Sequence, residues 1–245
     1  MRIVITGNSS GIGKMLAEQL ENRGHVVVGL SRSGKFKCDV TKYEEVAHWA
    51  QYVQATYNGI DALITCAGIA GALGSTSKTT PKEWSETIGV NLIGTYNAIH
   101  AFYPMMNGDG RPKIICLSGG GAANARPFFS AYATSKAAVV RLVENIASED
   151  PKVDINAIAP GAIKTNIING PIAAGKDIIG EKEYTAALKQ SVEGEDPAPM
   201  FGLVNWLLSS KSDGVTGRFI SAKWDVWKDL TSCTDKDLYK LRRTT

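Results

Sequence analysis

Ile3-Val4-Ile5-Thr6-Gly7-Asn8-Ser9-Ser10-Gly11-Ile12-Gly13, residues 3–13, is the stretch whose reading decides the fold. A short β-branched run breaks into three glycines and then into a helical pattern from Gly11 to Arg23. Glycines at such a junction let the backbone turn tightly and let a diphosphate approach the helix amino terminus, whose free N–H groups favour anions. Two other motifs overlap the same residues. Gly7-Asn8-Ser9-Ser10-Gly11 satisfies G-x-S-x-G, the nucleophile elbow of α/β-hydrolases, which would make Ser9 a nucleophile. That elbow needs strands before it and a histidine after an acid. Here the last of three histidines is His100, so a triad could be closed only by Asp39 or Asp61 with His48 or His100. A P-loop fails as well, because Met15 follows Gly13-Lys14 and Asn8 stands where the first glycine is required.

Outward from this turn, short apolar runs alternate with helical patterns to the far end of the chain, as in a parallel sheet covered by helices on both faces. The expected strands are Ile3 to Thr6, His25 to Leu30, Lys37 to Val40, Ala62 to Thr65, Lys113 to Ser118, Asp154 to Ala157 and Arg218 to Ser221. The expected helices are Gly11 to Arg23, Lys42 to Tyr57, Pro81 to Asn107, Ala131 to Glu149 and Pro197 to Ser209, with Thr80 capping the one that Pro81 opens. The fold class is therefore α/β, a Rossmann-like doubly wound parallel sheet of these seven strands in a single domain spanning 1–245. Two stretches read as additions. Residues 166–195 are rich in glycine and polar residues and too long for an ordinary connection, which suggests a substrate lid. The tail, 222–245, carries Trp224 and Trp227 and then Thr234 and Asp237 at capping-box spacing.

With 245 residues, 44% of them hydrophobic, the chain can bury a substantial core. Its 27 basic and 24 acidic side chains leave a net charge of +3, short of the basic footprint of a nucleic-acid binder. Cys38, Cys66, Cys116 and Cys233 form no CxxC pair, which suits a reducing cytoplasm and suggests no metal site. No apolar run reaches membrane-spanning length, and no signal-peptide pattern precedes Arg2, so no membrane partner is expected.

Of the eight tyrosines only Tyr132 is followed four residues later by lysine, Lys136, at the start of a helical segment. Positions i and i+4 share a helix face, and an ammonium beside a phenol favours the phenolate, which brings it toward general acid/base duty. An ordinary surface Tyr and Lys would have the same spacing. The ordered combination of the glycine turn, Ala67-Gly68, Asn91, Ser118, Tyr132 with Lys136, and Pro160-Gly161 is more specific. In this combination the chain resembles the short-chain dehydrogenase/reductase family from Arg2 to about Ile220, with TGxxxGxG matched by Thr6 to Gly13 and YxxxK by Tyr132 and Lys136.

The resemblance implies a nicotinamide-dependent enzyme interconverting an alcohol and a carbonyl. Tyr132 would transfer the proton, Lys136 would lower its pKa and hold the nicotinamide ribose, and Ser118 would bind the reacting oxygen. Asn91 would hold a helix kink and a relay water. Gly7, Ser9, Ser10, Gly11, Ile12 and Gly13 would surround the diphosphate, and Cys38, Asp39 and Val40 would meet the adenine. Ala67, Gly68 and Ile69 would line the ribose, with Pro160, Gly161, Ile163 and Thr165 at the nicotinamide amide. The second strand ends in Ser31-Arg32 instead of an acidic residue, which favours NADP(H) over NAD(H), although NAD(H) stays possible. The expected substrate is a small polar alcohol or ketone, sugar-like by analogy with relatives, and the family habit implies a homodimer or homotetramer. Apolar Val139, Val140, Leu142, Val143 and Ile146 look too broad for one buried face. The competing reading is a dinucleotide-sensing binding protein without turnover.

The match departs in places. The usual NNAG reads Thr65-Cys66-Ala67-Gly68, and only Ser31 to Phe36 separates the second and third strands, with no room for a helix. Ser118 lies fourteen residues before Tyr132, one more than usual, which makes Ser130 its rival.

Overall fold

Side chains along a strand alternate between its two faces, so a run that is apolar at every position can be satisfied only between two layers. The computed structural model, which describes residues 1–108 and 110–242, has this arrangement. In chain order the elements are β1 (Arg2–Thr6), α1 (Gly11–Glu21), β2 (Val26–Ser31), β3 (Phe36–Lys37), α2 (Tyr43–Tyr57), β4 (Ala62–Thr65), α3 (Pro81–Ile88) and α4 (Gly94–Phe102). There follow β5 (Lys113–Leu117), α5 (Ser130–Glu149), β6 (Asp154–Ala159), α6 (Asn169–Ala174), α7 (Lys176–Ile179), α8 (Glu181–Val192), α9 (Ala198–Leu207) and β7 (Phe219–Ser221). The strands form one parallel sheet in the order β3-β2-β1-β4-β5-β6-β7.

Alternation then sorts the core. Val4, Leu63, Ile114 and Ile155 face one layer with α2, α4 and α5, while Ile3, Ile5, Ile64, Ile115 and Ile158 face the other with α1 and α9. The strand order reverses between β1 and β4, and a cleft opens there at the carboxyl ends of the strands, where open α/β sheets bind their ligands.

Three segments differ from the sequence reading. The third strand, expected over Lys37 to Val40, is only Phe36–Lys37, paired with Leu30 and Ser31 after a four-residue reversal. It is held from the side: Trp49 of α2 donates to the Lys37 carbonyl at 2.7 Å and packs edge-on against Phe36. The helix expected from Pro81 to Asn107 is interrupted by a π-turn at Gly89–Ile93 and ends in a 3-10 turn at Tyr103–Met105. Its start is as expected, with a complete capping box between Thr80 and Glu83. In the tail, Thr234 and Asp237 form no box, because Asp235 takes the amides of Asp237 and Leu238 and makes a turn instead. The tail runs back along β7: the Phe219 amide donates to the Tyr239 carbonyl at 2.7 Å, and Arg218 reaches the carbonyls of Leu238 and Asp235. Residues 243–245 of the tail lie outside the described residues. No helix among the described residues is long and apolar enough to cross a membrane.

At the opposite end of the sheet from the cleft, the buried Lys113 ammonium sits 2.7 Å from Asp154 and 2.6 Å from Asp213. Arg111 also binds Asp154 at 2.7 Å. Removing Asp154 leaves the buried Lys113 with Asp213 as its remaining counter-ion and takes the carboxylate from Arg111, in a site with little water to compensate. Asp154→Ala is therefore expected to cost about 3–5 kcal/mol of unfolding free energy in urea titrations. The double variant Lys113→Met/Asp154→Leu should recover most of that loss, and equal losses in both would contradict the account.

Candidate active site

The glycine turn is built by close backbone approach. Gly7 (φ +73°) and Gly11 (φ +55°) occupy the left-handed region, and a Cβ on Gly13 would lie 2.3 Å from the Gly7 carbonyl oxygen. A Cβ on Gly7 would lie 2.7 Å from the Ala67 backbone, so the turn after β1 presses directly on the chain leaving β4. The amino end of α1 carries no side-chain cap and no acidic residue in its first turn, which leaves its amides available to an anion. Asn8 Oδ1 and Ser31 Oγ are buried nearby without a hydrogen-bond partner among the described residues. A cradle of glycine backbone, an uncapped helix end and two orphaned polar atoms fit a dinucleotide that carries phosphates and ribose hydroxyls.

All the expected site residues except Asn91 line a single cleft of about 1860 Å³. Gly7, Ser9, Ser10, Gly11, Ile12 and Gly13 are joined there by Ser31 and Arg32 from the end of β2 and by Cys38, Asp39 and Val40 beyond β3. Ala67, Gly68 and Ile69 follow β4, and Pro160, Gly161, Ile163 and Thr165 follow β6. Arg32 is exposed at the rim. Burial works against ionisation of Asp39, but hydrogen bonds from Thr41 and the charges of Arg32 and Lys42 hold its carboxyl below the usual range. The Asp39 carboxylate is thus committed in part to Thr41.

Asn91 lies behind the cleft wall, fully buried in the π-turn. Its Oδ1 accepts from the Ile69 amide at 2.9 Å, and its Nδ2 donates to the Ile69 carbonyl and to Ser135 Oγ, each at 3.0 Å. From the π-turn Asn91 ties α5 to the segment after β4. The asparagine missing from Thr65-Cys66-Ala67-Gly68 has a partial substitute in Thr6, whose hydroxyl accepts from the Ala67 amide at 3.3 Å.

Ser118, Tyr132 and Lys136 meet where β5 ends against the first turns of α5. Ser118 lines the cleft and Ser130 does not. The Ser118 hydroxyl donates to the Lys136 carbonyl at 3.0 Å. The Tyr132 hydroxyl lies beside Gly119, 3.4 Å from where a Cβ on that glycine would sit. The Lys136 ammonium donates to the Leu117 carbonyl at 2.8 Å and is 5.7 Å from the Tyr132 ring centre.

The sequence reading expected Lys136 to lower the tyrosine pKa. Instead burial raises the Tyr132 phenol above its ordinary range, and the group that pulls it back is Arg126, whose guanidinium carbon is 5.6 Å from the ring centre. Burial also pushes Lys136 down to about 8. Residue spacing missed the partner of Arg126, Glu183 of α8, which binds it from 57 residues away. Nor did spacing reveal Glu195, which accepts from the Ala162 amide at 2.7 Å and pairs with Lys223.

A glycine cradle at the switch point of a doubly wound sheet, in one cleft with a Ser, Tyr and Lys cluster, is the architecture of a dinucleotide-binding α/β fold. The family model described as Enoyl-(Acyl carrier protein) reductase matches residues 6–222. Short chain dehydrogenase tazN of Aspergillus terreus is 28% identical over 98% of this chain, which spans 56% of that relative's length. The ligand-free aldohexose dehydrogenase of Thermoplasma acidophilum is 28% identical with a TM-score of 0.78, covering 90% of this chain and 91% of its own. A chain described as a short chain dehydrogenase from Shigella flexneri, complexed with NADP, shares the fold at 23% identity and a TM-score of 0.74, covering 90% of this chain and 96% of its own. The chain belongs to the short-chain dehydrogenase/reductase family.

The depressed Lys136 has a measurable consequence. Below about pH 8 the lysine is charged both folded and unfolded, so the folded state carries the full cost of a buried cation. Between about pH 8 and its unfolded value near 10.5 the unfolded state holds the extra proton, and stability rises with pH. Lys136→Met should stabilise the protein at pH 7 by up to about 3 kcal/mol, with the gain shrinking above pH 8. Urea titrations across that range check this, and a pH-independent difference would contradict it.

Proposed function

We propose that the chain is a dehydrogenase or reductase that prefers NADP(H), accepts NAD(H) more weakly, and interconverts an alcohol and a carbonyl on a small polar, sugar-like substrate. The observation that carries this reading is the meeting of Ser118, Tyr132 and Lys136 on the cleft wall opposite the glycine cradle. The nicotinamide, when bound, supplies or accepts the hydride. Tyr132 gives its hydroxyl proton to the oxygen that gains charge, or takes it back in the oxidative direction. Ser118 turns its hydroxyl from the Lys136 carbonyl to that same oxygen, and such a positioned donor stabilises developing negative charge. Lys136, which donates to the Leu117 carbonyl here, would hold the nicotinamide ribose and bring its charge to Tyr132. Asn91 keeps α5 in register with Ile69 throughout. The aldohexose dehydrogenase among the similar structures supports a polyhydroxylated substrate.

Residues 166–195 act as the lid in this reading. Gly175 and Gly180, both at positive φ, separate three short helices that can turn against one another, and Glu183 fastens them to Arg126. The protein works as a homodimer or homotetramer in the cytoplasm, where its four free cysteines stay reduced. Val139, Val140 and Val143 are taken up by the chain's own core, so the contact between copies falls to exposed Ile93 and Tyr96 beside α4 and α5.

Tyr132→Phe removes only the transferable proton. It should lower turnover by about 100-fold or more while cofactor binding, followed by fluorescence, stays intact. Retention of more than about a tenth of the activity would exclude Tyr132 as the proton donor.

Cofactor choice turns on Arg32, whose planar guanidinium can grip a 2′-phosphate through charge-assisted hydrogen bonds, each worth about 1.5–3 kcal/mol. Arg32→Ala should cut kcat/KM for NADPH about tenfold or more and leave NADH use nearly unchanged. A wild-type preference for NADH would overturn the cofactor assignment.

A further inference from the structure

Arg126 is fixed from two sides. Its guanidinium carbon lies 4.0 Å over the Phe129 ring, and its Nε and Nη2 both bind Glu183 Oε2, at 3.0 and 2.9 Å. A fork that uses one carboxylate oxygen leaves the other half of each group free. Arg126 Nη1 and Glu183 Oε1 have no hydrogen-bond partner among the described residues, and both side chains line the cleft that holds Ser118 and Tyr132. The pair, neutral within itself, therefore offers one donor edge and one acceptor edge on the cleft wall. The other ion pair on this side, Glu195 with Lys223, is likewise neutral within itself.

We propose that the Arg126–Glu183 pair is the substrate-recognition clamp and that it selects a neutral diol carried beside the reacting carbon. The inference rests on the oxidoreductase reading of the cleft and narrows its substrate class. A hydroxyl is both donor and acceptor, so of two neighbouring hydroxyls one accepts from Arg126 Nη1 while the other donates to Glu183 Oε1. A carboxylate in the same place meets the Glu183 charge, and an ammonium meets Arg126. A simple alcohol or ketone lacks the hydroxyls that would satisfy the free edges once the lid excludes water, and unpaired polar groups are the strongest basis on which a site rejects an analogue. Because Glu183 belongs to α8, the clamp is complete only with that helix in place.

The test uses three open-chain six-carbon probes that differ at one end: sorbitol, gluconate and glucamine. Isothermal titration is run on the full chain with and without NADP⁺, beside an NADP(H)-linked activity assay. Wild type should bind sorbitol at least tenfold more tightly than either charged probe. Glu183→Gln leaves a net cation and should shift the preference to gluconate, and Arg126→Met leaves a net anion and should shift it to glucamine. Arg126→Lys keeps the charge but loses the fork, so it should weaken sorbitol without creating a preference for either ion. The clamp is overturned if the three probes bind alike to wild type, if none binds, or if the variants weaken all three equally, as a purely structural latch would. Preserved binding selectivity without turnover of any alcohol or carbonyl would sink the enzyme reading and leave the clamp standing.

Discussion

Everything in this molecule hangs on a contact between backbones where β1 and β4 diverge. The Gly7 carbonyl lies where a Cβ on Gly13 would be, and the Ala67 backbone lies where a Cβ on Gly7 would be. With side chains at those positions, α1 would have to start further from the sheet, and its amino end would no longer point over the carboxyl ends of the strands. The same contact brings the segment after β4 within reach of Thr6, and through Ile69 and Asn91 it positions α5. The candidate catalytic cluster on α5 is thus linked by a short series of hydrogen bonds to a turn near the start of the chain.

The strands were legible because residues such as Ile3 to Ile5 and Ile114 to Leu117 are apolar at every position and end in glycine or serine. A fully buried parallel strand leaves that pattern. The π-turn was only half legible: Asn91 marked an irregularity, but Gly89 to Ile93 contains no residue that forbids an α-helix, and the extra residue is accommodated by tertiary bonds to Ile69 and Ser135. The tail's capping box failed for a local reason, since Asp235 stands one residue after Thr234 and competes for the same amides. The expected site residues other than Asn91 come together along one cleft because their motifs are local to strand ends. Glu183 was beyond reach, as a surface glutamate on an amphipathic helix carries no mark of an arginine 57 residues earlier.

Electrostatics in the cleft depend on burial as much as on charge pairs. Two cations flank the Tyr132 ring at nearly equal distances, 5.6 Å for Arg126 and 5.7 Å for Lys136. Only Arg126 draws the phenol downward, because Lys136 is itself so desolvated that its own charge is costly. A phenol raised in this way keeps its proton through the neutral range. The cost of keeping Lys136 charged in a dry site is recovered only when something in the cleft takes up that charge.

The last strand has a further consequence. A sheet that stops at a bare edge presents unpaired N–H and C=O groups to any passing chain, which is how strands add intermolecularly. Here the chain closes that side itself: Tyr239 accepts from Phe219, while Arg218 spans to Leu238 and Asp235. At the opposite side β3 is shortened to Phe36 and Lys37, with Trp49 packed edge-on against Phe36. Among the described residues the β7 margin is therefore partly covered by the chain's own tail. By lying along β7 the tail takes up a main-chain donor that an open edge would offer to another strand.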